Sequence, residues 1–248
     1  EIMRETRTAS SRTDAYNMVG RNADFNRMID LLNRVAPAET AVLLQGESGT
    51  GKELVARAIH DSSPRADRPF VVVECSGLTE TLFESELFGY SRGAFTGASV
   101  TSRGRLEAAD GGTAFFDDID SLSPAMQAKL LRTLQEKEFQ RLGSTRMVRA
   151  DIRFIAASNR DLKKLVASGQ FRSDLYFRLN VLPIRLPALR ERRGDVALLV
   201  SHFVRKYNER LGTSIKGVAS RKCPIREPRP SFARCLRDTP RATRPTCR

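Results

Sequence analysis

The chain has 248 residues, of which 40% are hydrophobic, and carries 42 Lys and Arg against 29 Asp and Glu, for a net charge of +13. This length predicts one large domain, or one domain with a small appendage. No apolar run reaches about 18 residues and no secretory leader pattern is present, so we expect a cytoplasmic protein that makes no membrane contact.

The excess positive charge is concentrated towards the carboxyl end. Residues 218–248 hold nine Lys and Arg, two Asp and Glu, and five of the eleven prolines. We expect this stretch to be a disordered basic tail, and residues 1–16 to be a loose polar leader. The basic charge is therefore only weak support for nucleic-acid binding by the folded part. No CxxC pair is present, so no zinc site is expected, and Cys75 is predicted to be a small buried hydrophobe.

Short apolar runs alternate with helical patterns along the rest of the chain. Helices are predicted over residues 22–35 and 53–60, after Ser123-Pro124, and over 193–211. The strand candidates are residues 41–45, 70–74, 113–116, 152–157 and 181–186. Strands that alternate with helices predict an α/β fold with a parallel five-stranded sheet covered on both faces.

A glycine-rich run lies between the first strand candidate and the helix that follows it. Its residues are Gly46, Glu47, Ser48, Gly49, Thr50, Gly51, Lys52 and Glu53. Strand, glycine loop and helix form the context of a P-loop, whose backbone N–H groups surround phosphate oxygens while the lysine reaches the outer phosphates. Glu53 stands where a Ser or Thr usually offers a hydroxyl to Mg²⁺. The alternative is a glycine-rich turn with an exposed lysine.

An acidic pair follows the third strand candidate. Asp117 and Asp118 stand at its carboxyl end, where open α/β sheets bind ligands. Asp117 is predicted to hold Mg²⁺, and Asp118 to orient and deprotonate an attacking water. The alternative is a solvated acidic turn before the next helix.

A second glycine-containing segment lies between these two elements. It reads Gly93, Ala94, Phe95, Thr96, Gly97 and Ala98. The glycines permit hinge conformations, and Phe95 in such a loop indicates a contact surface. The alternative is a Phe95 that folds back into the local core.

With its GESGTGKE and GAFTGA motifs, the chain resembles the AAA+ domain of the sigma-54-dependent transcriptional activators, the bacterial enhancer-binding proteins, over roughly residues 19–216. The resemblance implies an AAA+ P-loop fold over residues 17–190 and a partial helical lid over 191–217. It also implies ATP and Mg²⁺ as cofactors, ATPase activity, and contact of residues 93–98 with the sigma-54 RNA polymerase holoenzyme. Glu53 is normal for this family.

The resemblance assigns three further residues. Asn159 would report on the γ-phosphate, while Arg172 and Arg178 would reach the nucleotide of a neighbouring subunit as arginine fingers. Fingers in trans imply a ring, which in this family is a hexamer. Without the resemblance, a solvated surface charge is an equal interpretation of each arginine.

The chain departs from the family pattern at two points. Asp118 stands where Glu is usual, and Glu74 where Asn is common, which predicts weakened or differently gated hydrolysis. Neither a sensor II motif nor a specific DNA-binding element is visible after residue 217. The alternative function is therefore a nucleotide-binding interaction module, or a truncated remnant, with little turnover and no specific DNA binding.

Overall fold

The computed structural model describes residues 18–217. The predicted leader, residues 1–16, and the predicted basic tail, residues 218–248, both lie outside the described residues. In chain order, the strands are β1 (Val42–Gln45), β2 (Phe70–Glu74), β3 (Gly89–Tyr90), β4 (Ser102–Arg103), β5 (Thr113–Asp117), β6 (Glu138–Gln140), β7 (Met147–Arg149), β8 (Arg153–Ser158) and β9 (Leu182–Arg185). The helices are α1 (Ala23–Val35), α2 (Lys52–Asp61), α3 (Glu80–Phe88), α4 (Arg105–Ala108), α5 (Pro124–Glu136), α6 (Leu162–Ala167), α7 (Ser173–Leu179) and α8 (Val196–Leu211).

The central sheet has five parallel strands in the order β2-β5-β8-β1-β9. All five predicted strands are present, with bounds that differ from the prediction by one or two residues at most. The order places β1 beside β8 and β8 beside β5 although these strands are far apart in sequence. The loops that follow these three neighbours therefore share one edge of the sheet.

Both faces of the sheet are buried, as the alternation of strands and helices predicts. Leu43, Phe116 and Phe154 point to one face, where α3, α5 and α7 supply the opposing side chains. Val42 and Phe115 point to the other face, which α1 and α2 cover. Because successive strand residues face opposite sides, one short apolar run contributes to both cores.

Helix starts follow the sequence signals closely. The Asn22 side chain caps α1 by accepting a hydrogen bond from the N–H of Asp24. Ser123 caps α5 by accepting from the N–H of Met126, with Pro124 at the first helical position. The predicted helix over 193–211 begins later, at Val196, because residues Arg193–Asp195 form a 3₁₀ turn.

Two small antiparallel hairpins are absent from the sequence prediction. They pair β3 with β4 and β6 with β7, and both stand outside the central sheet. Strands of two or three residues are too short to carry a periodic pattern. Among the described residues, no helix is long and apolar enough to cross a membrane.

Candidate functional site

The carboxyl ends of β1, β5 and β8 bring three separate segments of the sequence together. The glycine loop follows β1, the acidic pair ends β5, and Asn159 follows β8. The N–H of Gly46 donates to the carbonyl of Ser158 at 3.2 Å, which joins the first and third segments directly. The predicted nucleotide-contacting residues thus lie at one edge of the sheet.

The glycine loop has the backbone that phosphate binding requires. Gly49 and Gly51 have φ of +79° and +91°, a region that L side chains rarely adopt. Gly51 is the N-cap of α2 and offers no side-chain cap, so the N–H groups of the first turn are open to an anion. The loop therefore presents amides at the positive end of a ten-residue helix.

Lys52 is 7% exposed, which argues against the alternative of an exposed lysine on a turn. Its Nζ donates to the carbonyls of Gly46 and Glu47 at 3.1 and 3.3 Å. The ammonium group is thus held inside the curve of the loop, where phosphate oxygens would bind.

A distant arginine braces the same loop. The guanidinium of Arg190 donates to both carboxylate oxygens of Glu47, with a distance of 2.6 Å from Nη1 to Oε2. These hydrogen bonds lower the pKa of Glu47, so its carboxylate stays charged. Sequence reasoning did not identify Arg190, since it lies 143 residues from its partner.

A hollow of about 770 Å³ opens beside Gly49 and Gly51. Its walls come from the segment before α1, from the chain after β9, and from α8. This volume lies within the range of small-molecule sites, about 300–1,000 Å³. The hollow therefore has room for the rest of a nucleotide whose phosphates sit on the loop.

One wall of this hollow contains charged groups that the sequence analysis missed. Arg192 is buried, and its guanidinium carbon lies 4.9 Å from the centre of the Phe25 ring. Burial lowers the pKa of Arg192, and the charge of Asp195 opposes that shift. Asp195 Oδ1 accepts hydrogen bonds from the N–H groups of Arg21 and Asn22 at 2.7 and 3.1 Å. These contacts join the turn before α8 to the start of α1.

The acidic pair has a strained backbone and one perturbed carboxyl group. Burial raises the pKa of Asp117, the charge of Asp118 raises it further, and the hydrogen bond from the Asp118 N–H and the charge of Lys52 act in the opposite direction. Asp118 adopts φ +52° and ψ +47°, the left-handed region. Its Oδ1 accepts from Asn159 Nδ2 at 3.1 Å, and Oδ2 from Ser76 Oγ at 3.5 Å. The two carboxylates therefore have different surroundings, as two different roles would require.

Mg²⁺ is the ion that the family resemblance implies for this site. No group of three or more His, Cys, Asp or Glu side chains that could hold a metal is found among residues 18–217. Mg²⁺ commonly binds through one or two carboxylates together with substrate phosphates and water, rather than in an all-protein cage. Asp117 beside Lys52 fits that mode of binding, with the phosphates supplying the remaining ligands.

Glu74 lies level with Asp117 in the β2–β5 register. Its side chain is exposed and lines a neighbouring hollow with Ser76 and Arg105. The expectation that Glu74 changes the gating of hydrolysis stays a prediction.

Arg172 and Arg178 lie at the two ends of α7, and both side chains are exposed. Arg172 forms a paired contact with Asp174, with its Nε 3.0 Å from Oδ1 and its Nη2 2.7 Å from Oδ2. Arg178 lines a hollow with Glu39 and Asp151, which precede β1 and β8 at the amino end of the sheet. None of these contacts reaches the glycine loop of the same chain.

The GAFTGA segment forms the tip of the β3–β4 hairpin. Gly93 and Gly97 have φ of +82° and +101°, and the N–H of Gly93 closes the loop onto the carbonyl of Ala98 at 2.9 Å. Phe95 is 47% exposed, while one side of its ring packs edge-on against Tyr90 at 5.0 Å. Phe95 is thus partly a contact residue and partly packed locally, because its ring contacts Tyr90 and still presents apolar surface.

The tip is supported by the loop of the second hairpin. The N–H of Ser91 donates to the carbonyl of Leu142 at 2.9 Å, and the N–H of Leu142 to that of Gly89 at 3.0 Å. A Cβ placed on Gly143 would lie 2.7 Å from the Cβ of Ala94. The two loops therefore pack against each other at backbone distance, and only glycine fits at position 143.

Comparison with known proteins identifies the family. The family model described as the Sigma-54 interaction domain matches residues 18–185. The chain belongs to the sigma-54 interaction domain family. Its fold is accordingly that of the P-loop AAA+ proteins in sigma-54-dependent transcriptional activators, as the two motifs predicted.

Several members are close to this chain. The Nif-specific regulatory protein of Herbaspirillum seropedicae is 53% identical over 191 residues, which cover 77% of this chain and 35% of that protein. The transcriptional regulatory protein ZraR of Escherichia coli K12 is 48% identical over 213 residues, covering 86% of this chain and 48% of ZraR. The crystal structure of Brucella abortus NtrX in complex with ATP superposes with a TM-score of 0.74 at 37% identity, covering 85% of this chain and 47% of NtrX. This chain of the sigma-54 interaction domain family spans about a third to a half of these relatives.

Proposed function

We propose that this chain binds ATP with Mg²⁺, hydrolyses it, and uses the resulting movement to remodel the sigma-54 RNA polymerase holoenzyme at promoters. The working form is a ring of identical subunits, with a hexamer as the family implies. The site of action is the cytoplasm, where transcription starts. NtrX, whose fold is similar, was crystallised with ATP and with ADP, which supports nucleotide binding at the glycine loop.

Each residue of the proposed site has a distinct task. Lys52 and the first-turn amides of α2 hold the phosphates, and Asp117 holds the metal ion. Mg²⁺ supplies neutralisation of phosphate charge when it is bound. Asp118, held by Asn159, orients the attacking water and takes its proton.

Arg172 and Arg178 are proposed to act on the nucleotide of the neighbouring subunit. A guanidinium supplied in trans stabilises the charge on the transferring phosphoryl group and raises the rate by about 10³-fold or more. Both arginines are exposed and have no contact with their own glycine loop, which leaves them accessible to a neighbour.

One continuous segment of chain connects the proposed hydrolysis site to the GAFTGA tip. Ser76 Oγ lies 3.5 Å from the Asp118 carboxylate, and α3 starts four residues later. The nine residues of α3 extend about 13 Å and lead directly into the hairpin that presents Phe95. A shift of Asp118 that follows nucleotide cleavage is therefore passed along a rigid helix to the GAFTGA tip.

The low-turnover alternative is favoured by one observation. Helix α8 buries none of its residues, and Val196, Val200 and Leu211 are 43%, 37% and 66% exposed. A helix whose apolar side lacks packing in the described part of the chain is a weak lid for a nucleotide site. In that case the chain would bind ATP and the holoenzyme but hydrolyse slowly.

Steady-state ATP hydrolysis measured against subunit concentration separates the two functions. A remodeller gives a cooperative rise in rate, and Arg172→Ala should lower that rate by about 10³-fold while nucleotide binding is retained. If nucleotide binds but the hydrolysis rate stays near zero at all subunit concentrations, the chain is an interaction module and not a remodeller.

Promoter melting with sigma-54 holoenzyme tests the second half of the proposal. Phe95→Ala should lower the yield of open complexes more than tenfold, because it removes the exposed ring at the tip. Val100→Ala is the matched control, since Val100 is 63% exposed just beyond the same loop. Equal yields of open complexes with the two variants would show that Phe95 is not part of the contact surface.

A further inference from the structure

Gln127 is a polar side chain without a role in the site described above, and it is completely buried. It lies in the first turn and a half of α5 with 0% exposure. A buried primary amide has two N–H donors and a carbonyl acceptor to satisfy, and leaving them unpaired is costly. Its partners therefore indicate what the residue holds in place.

All three hydrogen bonds of the Gln127 side chain go to backbone groups outside its own helix. Nε2 donates to the carbonyl of Leu122 at 2.9 Å and to that of Gln170 at 3.1 Å. Oε1 accepts from the N–H of Arg172 at 2.8 Å. One side chain thus connects two stretches of chain that are about fifty residues apart.

The two stretches are the ones that the proposed reaction depends on. Leu122 ends the 3₁₀ turn that follows Asp118, and the Asp120 carboxylate in that turn accepts a hydrogen bond from Ser158 at 2.6 Å. Arg172 is the N-cap of α7 and the proposed arginine finger. Gln127 therefore sets the position of the finger relative to the acidic edge of the same subunit.

A second contact supports this segment from the other side. Arg160, which follows Asn159, donates from Nη2 to the side-chain oxygen of Gln170 at 3.2 Å. The N–H of Phe171 donates to the carbonyl of Leu165, and the Phe171 ring is buried. The backbone before Arg172 is thus fixed, while the guanidinium itself stays exposed.

We propose that Gln127 is a positioning residue for hydrolysis: it holds the backbone of Arg172 so that the guanidinium reaches the nucleotide of the next subunit. This inference rests on the proposed ring with fingers in trans. A displacement of about 1 Å in a reacting group can cost about 10²-fold in rate. Removal of the amide should therefore lower kcat by about 10- to 100-fold, with little change in nucleotide affinity.

The first test uses Gln127→Met, which keeps the length and volume of the side chain without its hydrogen bonds. Thr133→Val is the matched control, because Thr133 is 3% exposed in the same helix and its Oγ1 donates only to Lys129 of that helix. Gln127→Met should lower kcat and leave the Kd for ATP within about twofold. In an Arg172→Ala background it should cause no further loss. A similar fall in kcat for Thr133→Val, or full additivity with Arg172→Ala, would show a merely structural role.

The second test is complementation between inactive subunits. Lys52→Ala subunits cannot hold the phosphates but still present intact fingers, so mixing them with Gln127→Met subunits should restore hydrolysis at the shared interfaces. A mixture of Arg172→Ala and Lys52→Ala subunits tests whether the fingers act in trans at all. If this second pair stays inactive, the fingers do not act in trans and the proposed function fails. If it recovers but the Gln127→Met pair does not, the inference about Gln127 alone is overturned.

Discussion

The substitution Asp118→Glu is expected to change catalytic rate and folding stability in opposite directions. From the resemblance to the sigma-54-dependent activators, Glu is expected at the place of Asp118, and Asp118 adopts the left-handed region, with φ +52°. Asp and Asn tolerate that region better than longer side chains do. The same substitution is therefore expected to help the chemistry and to strain the backbone.

Both magnitudes follow from the geometry. One added methylene extends the carboxylate by about 1.5 Å, and a misplacement of about 1 Å can cost about 10²-fold in rate. We therefore expect Asp118→Glu to raise kcat by roughly 10- to 100-fold. The left-handed backbone should lower the free energy of unfolding by up to about 1 kcal/mol.

Phosphate release at saturating ATP, together with thermal melting, measures the two effects on one preparation. Asp118→Asn is the control for the backbone, because Asn accepts the same φ; it should melt like the parent chain and lose nearly all turnover. Asp117→Glu makes the identical chemical change one residue earlier and should lower turnover. A folded Asp118→Glu variant with unchanged or reduced kcat would refute the assignment of a short catalytic carboxylate.

Three further predictions concern the phosphate site and the contact loop. Lys52→Ala should weaken ATP binding by roughly 10- to 150-fold in a titration with fluorescent nucleotide, since a hydrogen bond to a charged group contributes about 1.5–3 kcal/mol. Asp117→Asn should abolish Mg²⁺-dependent hydrolysis while the melting temperature at neutral pH stays level or rises, because burial and Asp118 raise the pKa of Asp117 and disfavour its charged form. Gly143→Ala should reduce promoter melting more than tenfold, because its Cβ would lie 2.7 Å from that of Ala94 beneath the GAFTGA tip.

Each of these predictions has an internal control or a contradicting result. Since the folded pKa of Asp117 is raised, its destabilising charge is lost as the pH falls, and the melting advantage of Asp117→Asn should shrink towards acid pH. An advantage that grows on acidification would contradict that sign. Gly169→Ala matches Gly143→Ala, because Gly169 has φ +71° with no neighbour within 4 Å of its Cβ position. Unchanged ATP affinity for a folded Lys52→Ala would place the phosphates elsewhere.

The features that were predictable from sequence are those with local signals. The glycine spacing around Lys52 and the apolar runs of the five strands each depend on a few consecutive residues, and the fold they predicted is confirmed. The position of the acidic pair followed from the rule that open α/β sheets bind ligands at the carboxyl ends of their strands. Asn159 was assigned through the family resemblance, and its side-chain amide lies 3.1 Å from Asp118.

The features that were missed depend on contacts between distant residues. Arg190 reaches Glu47 across 143 positions, and nothing near either residue in the sequence indicates the pair. Gln127 sits among apolar residues of a helix, where a periodic pattern treats it as an interruption. The two hairpins consist of strands too short to show alternation, although they determine how the GAFTGA tip is supported.

The amine of Lys52 is already withdrawn from water and satisfied by Gly46 and Glu47. Under the proposed function, an arriving phosphate would replace these two neutral carbonyl acceptors with anionic oxygens, without first removing water from a hydrated ammonium group. Nucleotide binding would then be an exchange of hydrogen-bond acceptors within a preformed loop, and it would favour ligands that carry negative charge.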